Sequence, residues 1–531
     1  MPRFSLPAQH EQNKAAFSDA DSAARWLAGQ PQANASLMSA EITKQLEAFN
    51  RFATSPRNRF KTLEVLRKAV FAVSGEGQRR FEYRPLPLLT AEQNAFDGAR
   101  RLWRSCALGY LYCLDACLDR DDGIASYGGR VAHRVLACLR MEQQLCYLAN
   151  AELGADFWRI LHAVWRAVEQ LGAAREPVAD RLLGESSEST PRGQYAMILM
   201  LNFARPYALS RAQFGSVLRW LGRWREQATV LNIPDDNPKS CCVALDLSSD
   251  TPSCASADGP VAVMRWLSIG NVLRKIRQRL DLLVEGQSPE SLKLGSGISS
   301  EAAIALLKAL GYSLQQARLV SPDQAQASAK ADVAVGLENA FYLLGGKGLK
   351  DSSFSTLLNR EQLAVFDRVI RDSEDRRDNL SECWDVLAQG EDELCLRRPA
   401  GNGSTRLVLR GLLALRLSEQ NDYSLALISS LKSNVDGSLS VSTSRISHEA
   451  EPLVAELREK PSGKLSRHPA LLFPAGDDGV LPSVVIPAGL PARALSVRFY
   501  ASGEETPFGF RLADNVERGG DSERWSLKRE K

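Results

Sequence analysis

The hydrophobic period changes once along this chain, and that change limits what the chain can become. Up to about residue 325, apolar residues recur at helical spacing. Beyond about residue 330 they alternate or run in short apolar blocks separated by Gly, Asn, Asp and Pro. An α+β multidomain architecture follows: a large all-α N-terminal region, then an antiparallel β-barrel. The expected divisions are a helical domain over 1–229, a mostly helical connecting segment over 230–325, and the barrel with a charged, fraying tail over 326–531.

Helix starts are marked by local chemistry. Ser18-Asp19-Ala20-Asp21 precedes the stretch with Trp26 and Leu27, as an N-cap should. Ser55-Pro56 interrupts the chain, and Thr90-Ala91-Glu92-Gln93 opens a long helix in the manner of a capping box. Its buried stripe is Phe96, Trp103, Cys106, Tyr110, Cys113 and Cys117. Thr190-Pro191 reads as a cap with a first-turn proline, and Ser210 caps another helix. Cys242 to Leu247 alternates like a strand. A helix with Trp266, Leu273, Ile276 and Leu283 follows, then a last one from Glu301 with Gly311 just beyond its end. The expected strands include a run from Val333 to Leu344, Trp384 to Leu387, Glu393 to Leu396, Arg406 to Arg410, Leu412 to Leu417 and Tyr423 to Ser429. Further candidates are Leu439 to Thr443, Ala470 to Phe473, Ser483 to Ile486 and Leu495 to Tyr500.

Composition excludes several classes. With 531 residues, 44% of them hydrophobic, and a net charge of only +3, the chain is neither disordered nor a dedicated nucleic-acid binder. The best apolar run, Met197 to Leu201, is far short of a membrane span. The first residues carry no secretory h-region, so a cytoplasmic protein is expected. The ten cysteines include no C-x-x-C, and the five histidines are scattered; free, mostly buried thiols and no metal site are expected.

Catalytic signatures are missing too. There is no P-loop, no nucleophile elbow and no Rossmann fingerprint. Acidic pairs such as Asp121/Asp122, Asp235/Asp236 and Asp477/Asp478 adjoin Gly, Asn or Pro, where carboxylates cap turns. Arginine pairs occur at 79–80, 100–101, 376–377 and 397–398; arginine forks suit phosphate, but such pairs also serve as solvated surface. No enzyme, no catalytic residue and no cofactor are expected.

The stretches Trp266-Leu267 to Arg277, Glu285-Gly286-Gln287-Ser288-Pro289, Val333 to Gly345, Trp384 to Leu387 and Leu412 to Arg416 resemble a proteobacterial family that ends in a PilZ-like domain. Ala24-Arg25-Trp26-Leu27 and Arg84-Pro85-Leu86-Pro87-Leu88 resemble that family's helical region. The resemblance implies a six-stranded barrel that binds cyclic di-GMP through R-x-x-x-R and [D/N]-x-S-x-x-G. Arginines clasp the phosphates, and short polar side chains meet the base. This chain departs from the pattern: Gln324 to Lys330 carries no arginine, and no complete [D/N]-x-S-x-x-G exists. Asn379-Leu-Ser381 beside Arg376-Arg377 is a partial match. Arg80/Arg84 and Arg406/Arg410 match R-x-x-x-R, as an arginine-rich chain will by chance.

The resemblance therefore implies a non-enzymatic regulator or adaptor of the cyclic di-GMP signalling type, acting through protein partners, with homo-oligomers through its helices left open. The alternative is a true receptor that holds cyclic di-GMP by a noncanonical set: Arg376, Arg377, Asn379 and Ser381. A chaperone-like helical domain, or an enzymatic one between Trp103 and Trp165, remains a further alternative.

Overall fold

The computed structural model describes all residues except 1–3, 11, 13–14, 32–33, 184–187, 236, 255–261, 318–328, 347–379, 402, 404, 419, 447–448, 462, 464, 476–481, 502–506 and 530–531. Two compact units result. The first comprises Met1–Arg84 and Leu88–Gln324; the second comprises Pro85–Pro87 and Ala325–Lys531.

The first unit opens with α1 (Ala20–Ala28), α2 (Ala35–Arg51), α3 (Pro56–Gln78), α4 (Thr90–Leu118), α5 (Gly128–Leu148) and α6 (Ala155–Gln170). The short strands β1 (Val178–Ala179) and β2 (Glu188–Ser189) pair with each other, and α7 (Pro191–Phe203) and α8 (Arg211–Trp224) follow. A small sheet then orders β3 (Thr229–Leu231), β5 (Met264–Ser268) and β4 (Cys242–Asp246), before α9 (Gly270–Val284) and α10 (Ser300–Gln316). Asp19, Ser55, Thr190 and Ser210 each cap a helix by accepting a backbone N–H three residues on. The α4 cap differs from expectation. Leu89 is the N-cap, and its N–H donates to the Glu92 carboxylate at 2.8 Å, which is only one half of a capping box.

The order of burial explains the bundle. Helix α5 buries 19 of its 21 residues, so it must be the central rod against which α4, α6 and α7 pack. Yet it carries His133, Arg134, Arg140, Glu142 and Gln143, and each must find a partner inside the protein.

Two expectations fail in this unit. Trp266 lies in β5, not in the following helix, because the chain pairs with β3 and β4 before Gly270 lets it turn into α9. Gly311 lies inside α10, not beyond it; a Cβ there would meet Ile276 Cγ2 of α9 at 3.5 Å, an ordinary contact. The start of α9 is tighter. A Cβ on Gly270 would fall 2.1 Å from the Lys239 carbonyl oxygen and 2.9 Å from Ser240 Cα. Because both obstacles are backbone, Gly270→Ala is expected to cost about 1–3 kcal/mol, read as a lower denaturant midpoint. An unchanged midpoint would show that the 238–240 turn gives way freely.

The second unit contains two sheets. The first is a closed antiparallel barrel in the order β10-β11-β8-β7-β6-β9. Its strands are β6 (Ala329–Val335), β7 (Glu382–Gln389), β8 (Glu393–Arg398), β9 (Leu412–Leu417), β10 (Ser424–Ser433) and β11 (Leu439–Arg445). The second is a seven-stranded half-barrel ordered β16-β15-β12-β13-β14-β18-β17. It is built from β12 (Glu451–Glu459), β13 (Leu465–Phe473), β14 (Ser483–Pro487), β15 (Ala494–Ala501), β16 (Pro507–Phe508), β17 (Phe510–Arg518) and β18 (Ser522–Arg529).

The run from Val333 to Leu344 is not one strand. It is β6 followed by α11 (Leu337–Leu343), and the turn between them falls at Gly336 with φ 89°, a conformation that favours glycine. Leu337, Ala340 and Phe341 of α11 pack with Leu412 and Ala414 of the barrel and with Val454, Leu471, Phe473 and Val485 of the half-barrel. The alternate residues Leu453, Ala455, Ala470, Leu472, Val484 and Ile486 face the half-barrel's own core. Strands β13 and β14 are thus covered on both faces, which is why they read as continuous apolar runs.

Arg406 to Arg410 is not a strand: only Leu407 pairs, exchanging two backbone hydrogen bonds with Leu86, and Arg410 has φ 64°. Up to Arg529 the charged tail is strand and does not fray, since β18 pairs with β14 and β17; residues 530–531 lie outside the described residues. A short α12 (Leu490–Arg493) precedes β15.

Candidate functional site

Helices α4, α5 and α6 run consecutively and leave a cleft of about 980 Å³, a volume in the range of small-ligand sites. Helix α4 contributes Asp97, Arg100, Arg101, Arg104, Leu108 and Leu111. These positions recur every three or four residues, so they form one stripe roughly 20 Å long. Helix α6 contributes Asp156, Arg159, Ile160, Ala163 and Arg166 by the same spacing, and α5 contributes Leu139 and Glu142. Leu247 to Ser249 and the chain near Phe4 complete the lining.

Five arginines therefore face three carboxylates in this cleft. Arg100 Nε and Arg104 Nη2 both donate to Glu142 Oε1, at 3.1 and 2.9 Å. The second oxygen of Glu142 is buried and has no hydrogen-bond partner among the described residues. Arg101 donates to Glu47 at 2.7 Å, and Arg159 pairs with Asp156. Arg166 stands exposed. The rim is cationic and the floor is apolar, an arrangement that suits an anionic ligand with a flat or apolar body.

A second polar cluster lies deeper. Asp180 accepts from Arg67 and, at 3.2 Å, from Arg134. Arg134 also donates to Glu64 at 2.9 Å, and Tyr110 donates to the same oxygen at 2.7 Å. His133 accepts from Arg134 at Nδ1, so its Nε2–H donates to Ser189 Oγ at 2.7 Å. Burial, with Arg134 alongside, pulls the His133 pKa down to about 3, so the ring is neutral. Burial, with repulsion from Arg225, also lowers Arg140 to about 10. Arg67, His133, Arg134 and Asp180 are closed in and Glu64 is partly exposed, so the cluster ties the core helices together.

The cysteines are free; burial pushes the thiols of Cys117 and Cys146 up to about 12. Protonated thiols are poor nucleophiles and poor metal ligands. His162 is buried as well, accepting from Tyr195 at Nδ1 and donating from Nε2 to the Thr251 carbonyl, both at 2.8 Å. Among the described residues no helix is long and apolar enough to cross a membrane, and no His, Cys, Asp and Glu cluster could hold a metal ion.

Of the nucleotide candidates read from the sequence, Arg376, Arg377 and Asn379 lie outside the described residues. Ser381 is half-buried directly before β7. Three arginines of the pairs outside the cleft are engaged. Arg398 donates to Glu382 at 2.9 Å and stacks over Trp384, Arg397 donates to Ser438 at 3.0 Å, and Arg79 donates to Glu76 at 3.2 Å. Arg406 donates to the Pro85 carbonyl at 3.0 Å.

Two features escaped the sequence reading. Asp385-Val-Leu387-Ala-Gln-Gly390 keeps the Asp and Gly of [D/N]-x-S-x-x-G with Leu in the serine's place, and it falls on β7 and its turn into β8. Asp385 is paired with Lys330, and the Gly390 N–H closes the hairpin on Glu393. Searching the pattern with one substitution allowed would have found it. The barrel opening beside this hairpin encloses only about 20 Å³, room for about one water. The other missed feature is the arginine cleft, because its residues come from three helices.

Residues 21–235 match a family model described as the N-terminal domain of the cyclic-di-GMP receptor FimW. The match covers most of the helical unit and both sides of the cleft, and it stops before the strands of the second unit. No curated protein and no solved structure matches the chain.

Proposed function

We propose that this protein is a non-enzymatic regulator in cyclic di-GMP signalling that takes the nucleotide outside the usual PilZ grip. The observation that carries the reading is the match of residues 21–235 to the N-terminal domain of a cyclic-di-GMP receptor. A six-stranded closed barrel downstream agrees with a PilZ-like module. Its hairpin has Leu387 where the motif needs a hydroxyl, and Lys330 occupies Asp385. A barrel so altered keeps its core and loses its polar contacts to a base, which leaves it to work through protein partners. Among the described residues no nucleophile and general-base pair faces the cleft.

Calorimetric titration of the full chain with cyclic di-GMP tests this, with the nucleotide recovered and chromatographed afterwards. Micromolar or tighter binding with the nucleotide recovered intact is expected. Absence of binding refutes the receptor reading; conversion to the linear dinucleotide refutes the non-enzymatic one.

A further inference from the structure

The arginine cleft of the helical unit has two unmet needs. Arg101 is held by Glu47, which leaves four arginines against the cleft's three carboxylates, and the Glu142 carboxylate has an unpaired, buried oxygen. A bare anion would answer the first need and worsen the second, since it would repel Glu142. A bare cation would do the reverse. The ligand that satisfies both carries phosphate at one end and hydrogen-bond donors at the other, joined by a flat body that tolerates an apolar wall.

A guanine nucleotide is such a ligand. Its phosphodiester oxygens accept from arginine forks. The N1–H and N2–H groups of guanine are donors on one edge, and a carboxylate oxygen is their natural acceptor. Leu108 and Ile160, both half-buried, supply apolar surface for the base. Adenine fails the same test. It offers a ring nitrogen acceptor where guanine offers N1–H, so its edge would leave Glu142 facing a lone pair.

We infer that this cleft is a guanine-specific cyclic dinucleotide site, in which Arg100, Arg104 and Arg166 hold phosphate and the buried, unpaired oxygen of Glu142 at the cleft wall reads the guanine edge. The inference rests on the receptor reading above and assigns its site. Arg100 and Arg104 are already fixed by their bonds to Glu142 Oε1, so little side-chain freedom is lost when phosphate arrives. Asp97 and Asp156 line the same cleft. Asp156 is neutralised by Arg159, and Asp97 accepts from Gln93 at 3.0 Å.

The test uses the full chain and calorimetry with cyclic di-GMP, and cyclic di-AMP as the adenine probe. Arg166→Ala and Arg104→Ala are each expected to weaken cyclic di-GMP binding about tenfold or more, the size of a lost charge-assisted hydrogen bond. Cyclic di-AMP is expected to bind at least about a hundredfold more weakly than cyclic di-GMP, as a buried unpaired group dictates. Glu142→Gln is expected to narrow that gap, because an amide can meet either edge. Arg166 is exposed, so its variant tests the site even where Glu142→Gln fails to fold. Wild-type affinity in both arginine variants, with binding lost in an Arg376→Ala/Arg377→Ala double variant, overturns the cleft and leaves the receptor reading standing. A wild-type chain that binds no cyclic di-GMP overturns the receptor reading and the cleft assignment together.

Discussion

Asp180→Ala is expected to destabilise the helical unit by about 3–5 kcal/mol, the cost of leaving buried charge unpaired. Asp180 is only 5% exposed, and both Arg67 and Arg134 donate to it from equally buried positions. Burial works against the Asp180 charge, but the Arg67 bond and the surrounding guanidinium groups more than offset it, so its pKa lies below the ordinary value. Removing the carboxylate leaves two guanidinium groups facing each other beside Arg140, itself already pushed down by burial and like charge. Tryptophan fluorescence in a denaturant titration reads the loss. A fall of less than about 1 kcal/mol, the range of exposed pairs, would show that water reaches this cluster in the folded state. The double change Arg67→Met with Asp180→Leu should recover part of the loss, because apolar replacement of both partners removes the desolvation cost on each side.

The helical half was legible because its signals are local. Caps at Asp19, Ser55, Thr190 and Ser210 declare themselves within four residues, and the structure places helices behind each of them. The strands were harder to read where burial runs on both faces. Period alone cannot tell Val333–Val335 from Leu337–Leu343, since both are apolar; the left-handed turn at Gly336 decides, and it is a backbone property. Tail residues Ser522–Arg529 looked frayed because charge dominates their composition. Yet Trp525 and Leu527 fall two residues apart, as on one face of a strand, and the structure pairs this stretch with β14 and β17 and puts Leu527 in the half-barrel core. The arginine cleft was hidden for a different reason. Glu142 lies 42 residues beyond Arg100 and 38 beyond Arg104, and only the return of α5 beside α4 brings it to hydrogen-bond distance of both. Nor could the sequence show that α5 is the central helix. Its sequence carries Arg134, Arg140 and Glu142 among its apolar residues, and where those charges go becomes visible only in the fold.

The same pairing makes stability fall early on acidification. His133 is neutral in the fold with its pKa pulled down to about 3 by burial and by Arg134, while an unfolded histidine binds its proton near pH 6.5. Burial lowers His162 in the same direction. The sign follows from the proton count: below the unfolded pKa the unfolded chain holds protons that the folded one refuses, so acid favours unfolding. Their contribution is complete above about pH 6.5 and is lost as the pH falls toward the folded values. At full slope two such groups cost about 2–3 kcal/mol per pH unit. Asp180, whose pKa is also held down, adds to the loss only below about pH 4, where unfolded carboxylates take up protons. Two windows are therefore expected in a plot of melting temperature against pH. A decline begins near pH 6.5 and belongs to the histidines; a steeper one begins below about pH 4 and belongs to the carboxylate. A plateau from pH 7 down to 5 would refute the neutral burial of both rings. In the Asp180→Ala variant the lower break is expected to weaken, while the upper one stays, because protonating His133 would add a further charge to a pocket already occupied by Arg67 and Arg134.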